Sequence, residues 1–235
     1  MSSDSGFTVF IPVFNEETLL IRNVEKLVRF LNKLGTPYEI IVGSNGSTDN
    51  TIHQGNTLAE NNRKIHFFHL DRKGVGAAFR EGVKRANFDR IITVDMDLSI
   101  RLDFIPKAFE LLGRYDMVIG SKTTGTQKRS WTRKTASESF IILAGFLLNI
   151  NFHDYSIAAK GYRKEVVKKY LPLIDDKTFY VVELVYQACQ EKRQLKEIPV
   201  TCVDLRGSRF NLIHEGLYKF GNLFLLWFKK LVLRR

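Results

Sequence analysis

Short apolar runs rich in β-branched residues alternate, through the first half of the chain, with longer segments of helical period. The apolar runs predict strands at residues 8–12, 38–43, 64–70, 90–94 and 117–120. The segments between them predict helices at residues 16–34, 49–61, 75–86 and 104–112. Because strands that alternate with helices form βαβ units, we predict an α/β fold whose mostly parallel, doubly wound central sheet is flanked by helices.

The second half contains two apolar segments of a different kind. Residues 140–148 are strongly apolar but too few to cross a bilayer, which takes about 20 apolar residues. Residues 217–235 mix leucine and aromatic residues with lysine and arginine, the composition of a helix that lies in a membrane interface. Either segment can instead be an amphipathic helix packed on the sheet. We predict an amphipathic helix at residues 213–235 and a peripheral contact with a membrane.

Composition limits the classes of partner. The chain has 235 residues, of which 44% are hydrophobic, enough for one substantial core. Its formal net charge of +11 favours nucleic acid, anionic lipid or a phosphorylated substrate as a partner. We expect no nucleic acid, because the chain has no helix-turn-helix, RNA-binding motif or basic stripe with interleaved aromatics. The first six residues show no secretory signal, and Cys189 and Cys202 form no disulfide framework, so we expect the cytoplasmic side of the membrane.

The strongest chemical signal is a pair of carboxylates at the end of a predicted strand. The apolar residues 91–94 lead directly into Asp95 and Asp97. Ligands of open α/β sheets bind in the crevice beyond the carboxyl ends of the strands, which is where these two side chains are expected. Two neighbouring carboxylates repel each other unless a hard cation such as Mg²⁺ or Mn²⁺ lies between them, so the pair predicts a metal–diphosphate site. The alternative is that Asp97 caps the next helix.

Three more turns are predicted at the same edge of the sheet. Residues 12–17 and 43–51 are strand-to-helix turns, and Ser47 or Thr48 can cap the helix that follows the second one. A third turn, residues 71–78, sets basic residues beside glycines at a helix start, although it matches neither the Walker loop nor the dinucleotide fingerprint. Exposed amides at helix starts favour a polar or anionic ligand.

Four motifs follow one another along this chain: IPVFNEE at 11–17, GSTDNT at 46–51, KGVGAA at 73–78 and DMDLS at 95–99. In this order they resemble the motifs of the family 2 glycosyltransferases of the GT-A fold, and within them the dolichyl-phosphate mannose synthase-like branch. Residues 154–165, 179–183 and 203–209 resemble later motifs of the same branch. The resemblance covers residues 7–212 and implies one GT-A domain, with a nucleotide-sugar-binding half at 7–122 and an acceptor-side half at 123–212.

The resemblance also implies an activity. Such an enzyme moves a sugar, with inversion, from GDP-mannose or a UDP-sugar to a polyprenyl or dolichyl phosphate at the membrane surface, as a step in protein glycosylation. Two alternatives stay open. One is a family 2 enzyme with a glycan or another lipid, such as a diacylglycerol, as acceptor. The other is a non-catalytic scaffold that binds a nucleotide sugar.

By the same resemblance, Asp95 and Asp97 hold Mg²⁺ or Mn²⁺, which stabilises the departing diphosphate. The implied catalytic residues are Asp97, Lys122 and Arg206. The residues implied to bind the nucleotide sugar are Pro12, Phe14, Glu16, Asn45, Lys73 and Asp95. The residues implied to bind the acceptor phosphate are Lys160, Glu183, Arg206 and Arg209. A phosphate acceptor is ionised near neutral pH, so it needs positioning more than it needs a general base.

Two departures from the family pattern affect this assignment. Ser44 and Asn45 replace paired acids after the second strand, so the usual carboxylate contact to the nucleoside is missing. Lys160 stands where the family has arginine. Because lysine lacks the two-pronged guanidinium of arginine, phosphate binding at that position is expected to be altered or lost.

Overall fold

The computed structural model describes residues 5–122, 131–155, 157–202 and 212–233. The strands are β1 (Phe7–Val13), β2 (Tyr38–Asn45), β3 (Ile65–Leu70), β4 (Arg90–Thr93), β5 (Met117–Ser121), β6 (Lys160–Arg163) and β7 (Leu195–Pro199). The helices are α1 (Leu20–Asn32), α2 (Thr51–Asn61), α3 (Val75–Arg85), α4 (Phe104–Leu111), α5 (Trp131–Leu148), α6 (Lys164–Val167), α7 (Tyr180–Gln190) and α8 (Leu212–Leu233). A short 3-10 helix, Leu171–Leu173, precedes α7. The predicted α/β fold is confirmed.

The seven strands form one sheet in the order β3-β2-β1-β4-β6-β5-β7. All neighbouring strands run parallel except β6, which is antiparallel to both β4 and β5. The chain first builds outward from β1 through β2 to β3, and β4 then pairs with the other edge of β1. The strand order therefore reverses between β1 and β4, the place where α/β sheets bind their ligands.

Strands β6 and β7 were not predicted. Strand β6 has the sequence KGYR, and a lysine and a glycine at its start give no apolar run to recognise. Strand β7 has the sequence LKEIP and lies at the edge of the sheet, where its residues are half-buried or exposed. Both strands come from the second half of the chain and complete the sheet begun by the first half.

Two apolar clusters cover the two faces of the sheet. Alternate residues of β1, Phe7, Val9 and Ile11, pack with α1 and α4 on one face. Phe10 points to the other face, where α3, α5, α7 and α8 supply the neighbouring side chains. This alternation is the two-residue period of a strand buried on both sides.

The start of α3 packs very closely against the segment that precedes α7. The Gly76 N–H donates to the Lys177 carbonyl at 3.1 Å, and the Ala77 N–H donates to the Asp176 carbonyl at 3.0 Å. A Cβ atom on Gly76 would lie 2.1 Å from the Asp175 carbonyl oxygen. Only glycine therefore fits at position 76.

We expect Gly76→Ala to lower the free energy of unfolding by about 1–3 kcal/mol, since a methyl group there forces two backbone segments apart. Urea unfolding of the purified protein measures this. Gly221→Ala in α8 is the matched control, because its added Cβ would meet nothing within 4 Å. It is expected to stabilise the helix by up to about 1 kcal/mol. Equal effects of the two substitutions would contradict the close packing described.

Candidate active site

Asp95 and Asp97 lie in a tight turn immediately after β4, and both residues keep part of their surface exposed. The Leu98 N–H donates to the Asp95 carbonyl at 3.1 Å and closes the turn. The Asp95 carboxylate accepts a hydrogen bond from the Ala158 N–H at 3.3 Å, and the Asp97 carboxylate accepts one from the Ser99 N–H at 2.9 Å. The acidic turn therefore lies beyond the carboxyl end of β4, at the switch point of the sheet.

The alternative role for Asp97, as a helix cap, does not apply. Helix α4 begins at Phe104, and Asp103 occupies the position before it. The Asp97 carboxylate instead accepts a hydrogen bond from the Ser99 N–H within its own turn.

A buried group of charges lies beside Asp95. Lys160, Asp154 and Lys122 are 0%, 2% and 3% exposed, respectively. The Lys122 amine lies 3.6 Å from the Asp154 carboxylate, whereas the Lys160 amine donates to the Ile157 carbonyl at 2.8 Å and to the Gly120 carbonyl at 3.4 Å. Charges withdrawn from water need such partners. The end of β5, the loop after α5 and the start of β6 thus bring two cations and one anion together next to the acidic turn.

The surroundings of Asp95 and Lys160 shift the pKa values of both side chains. Burial and the neighbouring charge of Asp97 raise the pKa of Asp95 to about 6, against the opposing effects of the Ala158 N–H, Lys122 and Lys160. Burial lowers the pKa of Lys160 to about 8, and Asp154 opposes that change. The acidic pair is therefore one whose mutual repulsion a bound cation would relieve.

The carboxylates of Asp95 and Asp97 suit a divalent cation that has coordination positions left for a bound ligand. Within the described ranges, no group of three His, Cys, Asp or Glu side chains is placed to hold a metal ion. Asp95 and Asp97 supply two carboxylates, and Mg²⁺ in phosphate-transfer sites is usually held by one or two carboxylates together with substrate phosphates. The predicted ligand pair is thus of a suitable type, with oxygen atoms of a diphosphate needed to complete it.

Several of the predicted donor-binding residues lie on β1, on the turn that follows it and on the turn before α3. The Lys73 amine lies 3.8 Å from the centre of the Phe14 ring, a cation–π contact between an exposed lysine and a half-buried aromatic side chain. Pro12, within β1, and Glu16, in the turn after β1, are also half-buried. The structure therefore brings two of the predicted donor-binding residues, Phe14 and Lys73, into direct contact.

The turns after β1 and β2 are joined by their own polar groups. The Asn15 N–H donates to the Ser47 hydroxyl at 3.1 Å, and the Thr48 N–H donates to the Asn15 side-chain carbonyl at 2.8 Å. Helix α2 begins at Thr51 and has no side-chain cap. The prediction that Ser47 or Thr48 caps α2 is therefore wrong, because both residues bind the neighbouring turn instead.

Asn45 is buried and ties three segments together. Its side-chain N–H donates to the Val13 carbonyl at 2.8 Å, and its side-chain oxygen accepts from the Gly74 N–H at 3.1 Å. Ser44 is also buried, and its hydroxyl donates to the Ser47 hydroxyl at 2.9 Å. The two residues that replace the family's acids are thus engaged within the protein.

Three N–H groups at the start of α3 are bonded within the protein. The N–H groups of Gly74, Gly76 and Ala77 all donate to protein oxygens. The Lys73 side chain of this turn is exposed and contacts the Phe14 ring.

The predicted acceptor-side residues are spread more widely. The Lys160 amine has no exposed surface, so its predicted contact with a phosphate has no direct route in this structure. The Glu183 carboxylate, on α7, accepts from the Asp175 N–H, and burial raises its pKa while Lys229 and Arg80 oppose the rise. Arg206 and Arg209 lie outside the described residues.

Two residues of this site were not predicted. Asp154 was recognised only as the start of a motif, yet its carboxylate holds Lys122. Asn23 lies on the buried face of α1 and donates to the Met96 carbonyl at 2.9 Å. A polar residue at an apolar position of the helical pattern was the available signal for Asn23.

Comparison with known proteins places the chain in a family. Its sequence matches the sequence model of Glycosyl transferase family 2 over residues 8–171. It is 29% identical over 174 residues to the undecaprenyl-phosphate 4-deoxy-4-formamido-L-arabinose transferase of Proteus mirabilis (strain HI4320). The matched region is 73% of this chain and 53% of that protein. The chain thus spans about half the length of this curated relative.

Two solved structures share the fold. Glucosyl-3-phosphoglycerate synthase from Mycobacterium tuberculosis, in complex with Mn²⁺ and UDP-glucose, has a TM-score of 0.67 at 14% identity, over 95% of this chain and 79% of that one. S. aureus TarS 1–349, in complex with UDP-GlcNAc, has a TM-score of 0.56 at 16% identity, over 86% and 60% of the two chains. Both support the predicted GT-A fold.

We expect Asn45→Asp to destabilise the protein by about 1–3 kcal/mol at neutral pH, because a carboxylate cannot donate to the Val13 carbonyl. The loss of stability should become smaller as the pH falls, because the protonated carboxyl group can again donate a hydrogen bond to the Val13 carbonyl. Thermal unfolding from pH 4 to pH 8 tests this. Asn62→Asp is the control, because Asn62 uses its side-chain oxygen to accept from the Lys64 N–H at 3.0 Å, which a carboxylate also does. A pH-independent loss in Asn45→Asp would argue against the assigned bond.

Proposed function

Because the chain belongs to the family 2 glycosyltransferases, we propose that it transfers a sugar, with inversion, from a nucleotide-diphosphate donor to a polyprenyl phosphate at a membrane surface. The observation that carries this proposal is the acidic turn of Asp95 and Asp97, which opens into the crevice at the switch point of the sheet. The Phe14–Lys73 pair lies on the donor side of this crevice.

The donor side suits a nucleotide sugar, and we propose GDP-mannose or a UDP-sugar. Pro12 and Phe14 offer apolar surface to the base and ribose, and Glu16 is placed to accept from ribose hydroxyls. Lys73 adds a positive charge where a diphosphate would lie. We propose that Asn45 contributes indirectly, since its side chain shapes the turns beneath this surface and is itself buried.

Asp95 and Asp97 would hold Mg²⁺ or Mn²⁺ together with oxygens of the donor diphosphate. Such a cation neutralises the charge that develops on the departing diphosphate. The Ala158 N–H and the buried cations near Asp95 favour the ionised carboxylate that this role needs. The Mycobacterium tuberculosis synthase, which shares the fold, was crystallised with Mn²⁺ and UDP-glucose.

We propose that the acceptor is a polyprenyl phosphate, dolichyl phosphate included. The Proteus mirabilis relative is named for transfer to undecaprenyl phosphate. The attacking phosphate oxygen is already ionised near neutral pH, so the protein has to align it with the sugar and needs no general base. We propose that Lys122, buried and paired with Asp154, adds positive charge from beneath the crevice, and that Arg206 and Arg209 contribute from the segment before α8.

Lys160 and Glu183 take different parts in this proposal. Lys160 acts from beneath the crevice, through its charge on Asp95 and Asp154, because its amine is fully buried. Glu183 remains an acceptor-side candidate at the junction of α7 and α8, where Lys229 is one of its charged neighbours.

A membrane surface is supported by exposed apolar side chains on α5 and α8. Ile142 and Phe146 on α5 are 72% and 83% exposed, and Leu225 and Phe228 on α8 are 62% and 61% exposed. The two helices contact each other, and the Lys230 amine donates to the Leu147 carbonyl at 3.0 Å. Helix α8 packs on the core through its other face, where Leu223 is buried.

In the described part of the chain, no helix has the length and apolar character to span a bilayer. We propose that this face lies in the interface on the cytoplasmic side.

A second candidate function is a nucleotide-sugar-binding protein without transferase activity. The replacement of the family's acidic pair by Ser44 and Asn45 favours it, because neither side chain is exposed to contact a nucleoside. Binding of a donor without turnover would identify this case.

We expect Asp97→Asn to remove the metal-dependent part of donor binding and to lower transfer to polyprenyl phosphate by roughly 100-fold or more. Calorimetry with UDP- and GDP-sugars, in Mn²⁺ or chelator, measures the first effect, and extraction of labelled lipid measures the second. Asp103→Asn is the control, because Asp103 is exposed and pairs with Arg101 and Lys107 on the surface. An Asp97→Asn protein that binds and turns over like the wild type would show that the metal site is elsewhere.

We expect the double substitution Phe224→Glu and Phe228→Glu to weaken binding to phosphatidylcholine–phosphatidylglycerol vesicles by roughly tenfold or more, since two exposed aromatic side chains lose their apolar contact. Co-sedimentation with the vesicles measures this. Ile21→Glu is the control, because Ile21 is 40% exposed on α1, which covers the opposite face of the sheet. Unchanged vesicle binding of the double variant would exclude this face as the attachment site.

A further inference from the structure

Helix α1 carries one polar residue on its buried face. Its buried residues are Leu20, Asn23, Val24, Leu27 and Leu31, and all of them except Asn23 are apolar. A buried amide destabilises a protein unless it is hydrogen-bonded, so a local partner is needed to explain this position.

The partner is the residue between the two acids. The Asn23 side-chain N–H donates to the Met96 carbonyl at 2.9 Å, across 73 residues of sequence. The Met96 side chain is 3% exposed and belongs to the apolar cluster that also contains the buried face of α1. The middle of the acidic turn is therefore fixed to α1 through its carbonyl, and its side chain is buried in the apolar cluster that α1 helps to form.

The turn needs such a fixed point because its backbone is strained. Leu98 has φ of +49°, in the left-handed region that residues with a side chain rarely adopt. Conformations of this kind persist only where surrounding contacts determine them. The Leu98 N–H bond to Asp95 closes the turn locally, while Asn23 is the contact that joins it to a rigid helix.

We infer that Asn23 is a positioning residue that sets the orientation of the Asp95 and Asp97 carboxylates toward a divalent cation. This inference rests on the proposed function. Asn23 contacts the backbone between the ligands, so it acts on cation binding through the shape of the turn. Contacts of this supporting kind typically change metal affinity by about 10- to 100-fold when they are removed.

The test is a titration of the full chain with Mn²⁺, followed by electron paramagnetic resonance, in the presence of saturating UDP and, separately, GDP. Asn23→Ala is expected to weaken Mn²⁺ binding by about tenfold. Asn23→Leu is the second variant, because it fills the core and still removes the donor. It keeps the test decisive if Asn23→Ala is too unstable to measure.

Asn32→Ala is the matched control on the same helix. The Asn32 side-chain oxygen accepts from the Tyr38 hydroxyl at 2.7 Å and from the Lys64 amine at 3.1 Å, far from the acidic turn. Its loss should lower the melting temperature without changing Mn²⁺ affinity. A general loss of stability would weaken Mn²⁺ binding in both variants, whereas a positioning role weakens it in the Asn23 variants alone.

The outcomes separate the two proposals. If the wild-type protein binds Mn²⁺ and the folded Asn23 variants bind it with equal affinity, the positioning role is overturned and the proposed metal site stands. An Asn32→Ala protein that loses as much affinity as the Asn23 variants also overturns the positioning role. If the wild-type protein binds no Mn²⁺ with either nucleotide, the proposed metal site fails, and the inference about Asn23 fails with it.

Discussion

Charged side chains withdrawn from water at one edge of the sheet are the constraint around which this structure is arranged. A buried charge is tolerated only with close partners, and each partner here comes from a different part of the chain. Lys122 follows β5, and Lys160 opens β6, with Asp154 in the loop before it, while the partly exposed Asp95 beside them follows β4. The antiparallel strand β6 makes this possible, since its first residue lies beside the last residue of β4. The edge is therefore assembled by both halves of the chain.

The sequence predicted the elements that are determined by residues close together in the chain. Strands β1 to β5 each contain a short apolar run, and the acids after β4 stand out because a strand buried on both faces ends there. Strand β6 was missed because its first residue is a lysine, and the depth at which Lys160 is buried depends on neighbours in β4 and β5. The roles of Ser47 and Thr48 were also missed. The Ser47 hydroxyl and the Thr48 N–H bond to Asn15, more than 30 residues earlier in the chain. A residue's propensity to cap a helix does not predict such a distant contact.

The change from an acid to Asn45 illustrates how one residue can exchange a ligand contact for a structural one. An amide side chain has both a donor and an acceptor, so it bridges the Val13 carbonyl and the Gly74 N–H at the same time. An ionised carboxylate offers acceptors alone. The departure from the family pattern thus accompanies a hydrogen-bonded junction of three turns.

The close contact between α3 and the segment before α7 bears on the order in which the protein acquires its structure during synthesis. Arg80 on α3 donates to the carbonyls of Leu171 and Ile174 and to the carboxylate of Asp176, residues that are 91 to 96 positions later in the chain. Helix α3 therefore leaves the ribosome long before these partners exist. Until they are made, the first amides of α3 and the Arg80 guanidinium have only water to bond. The surroundings of α3, although the helix itself is encoded early, are completed late.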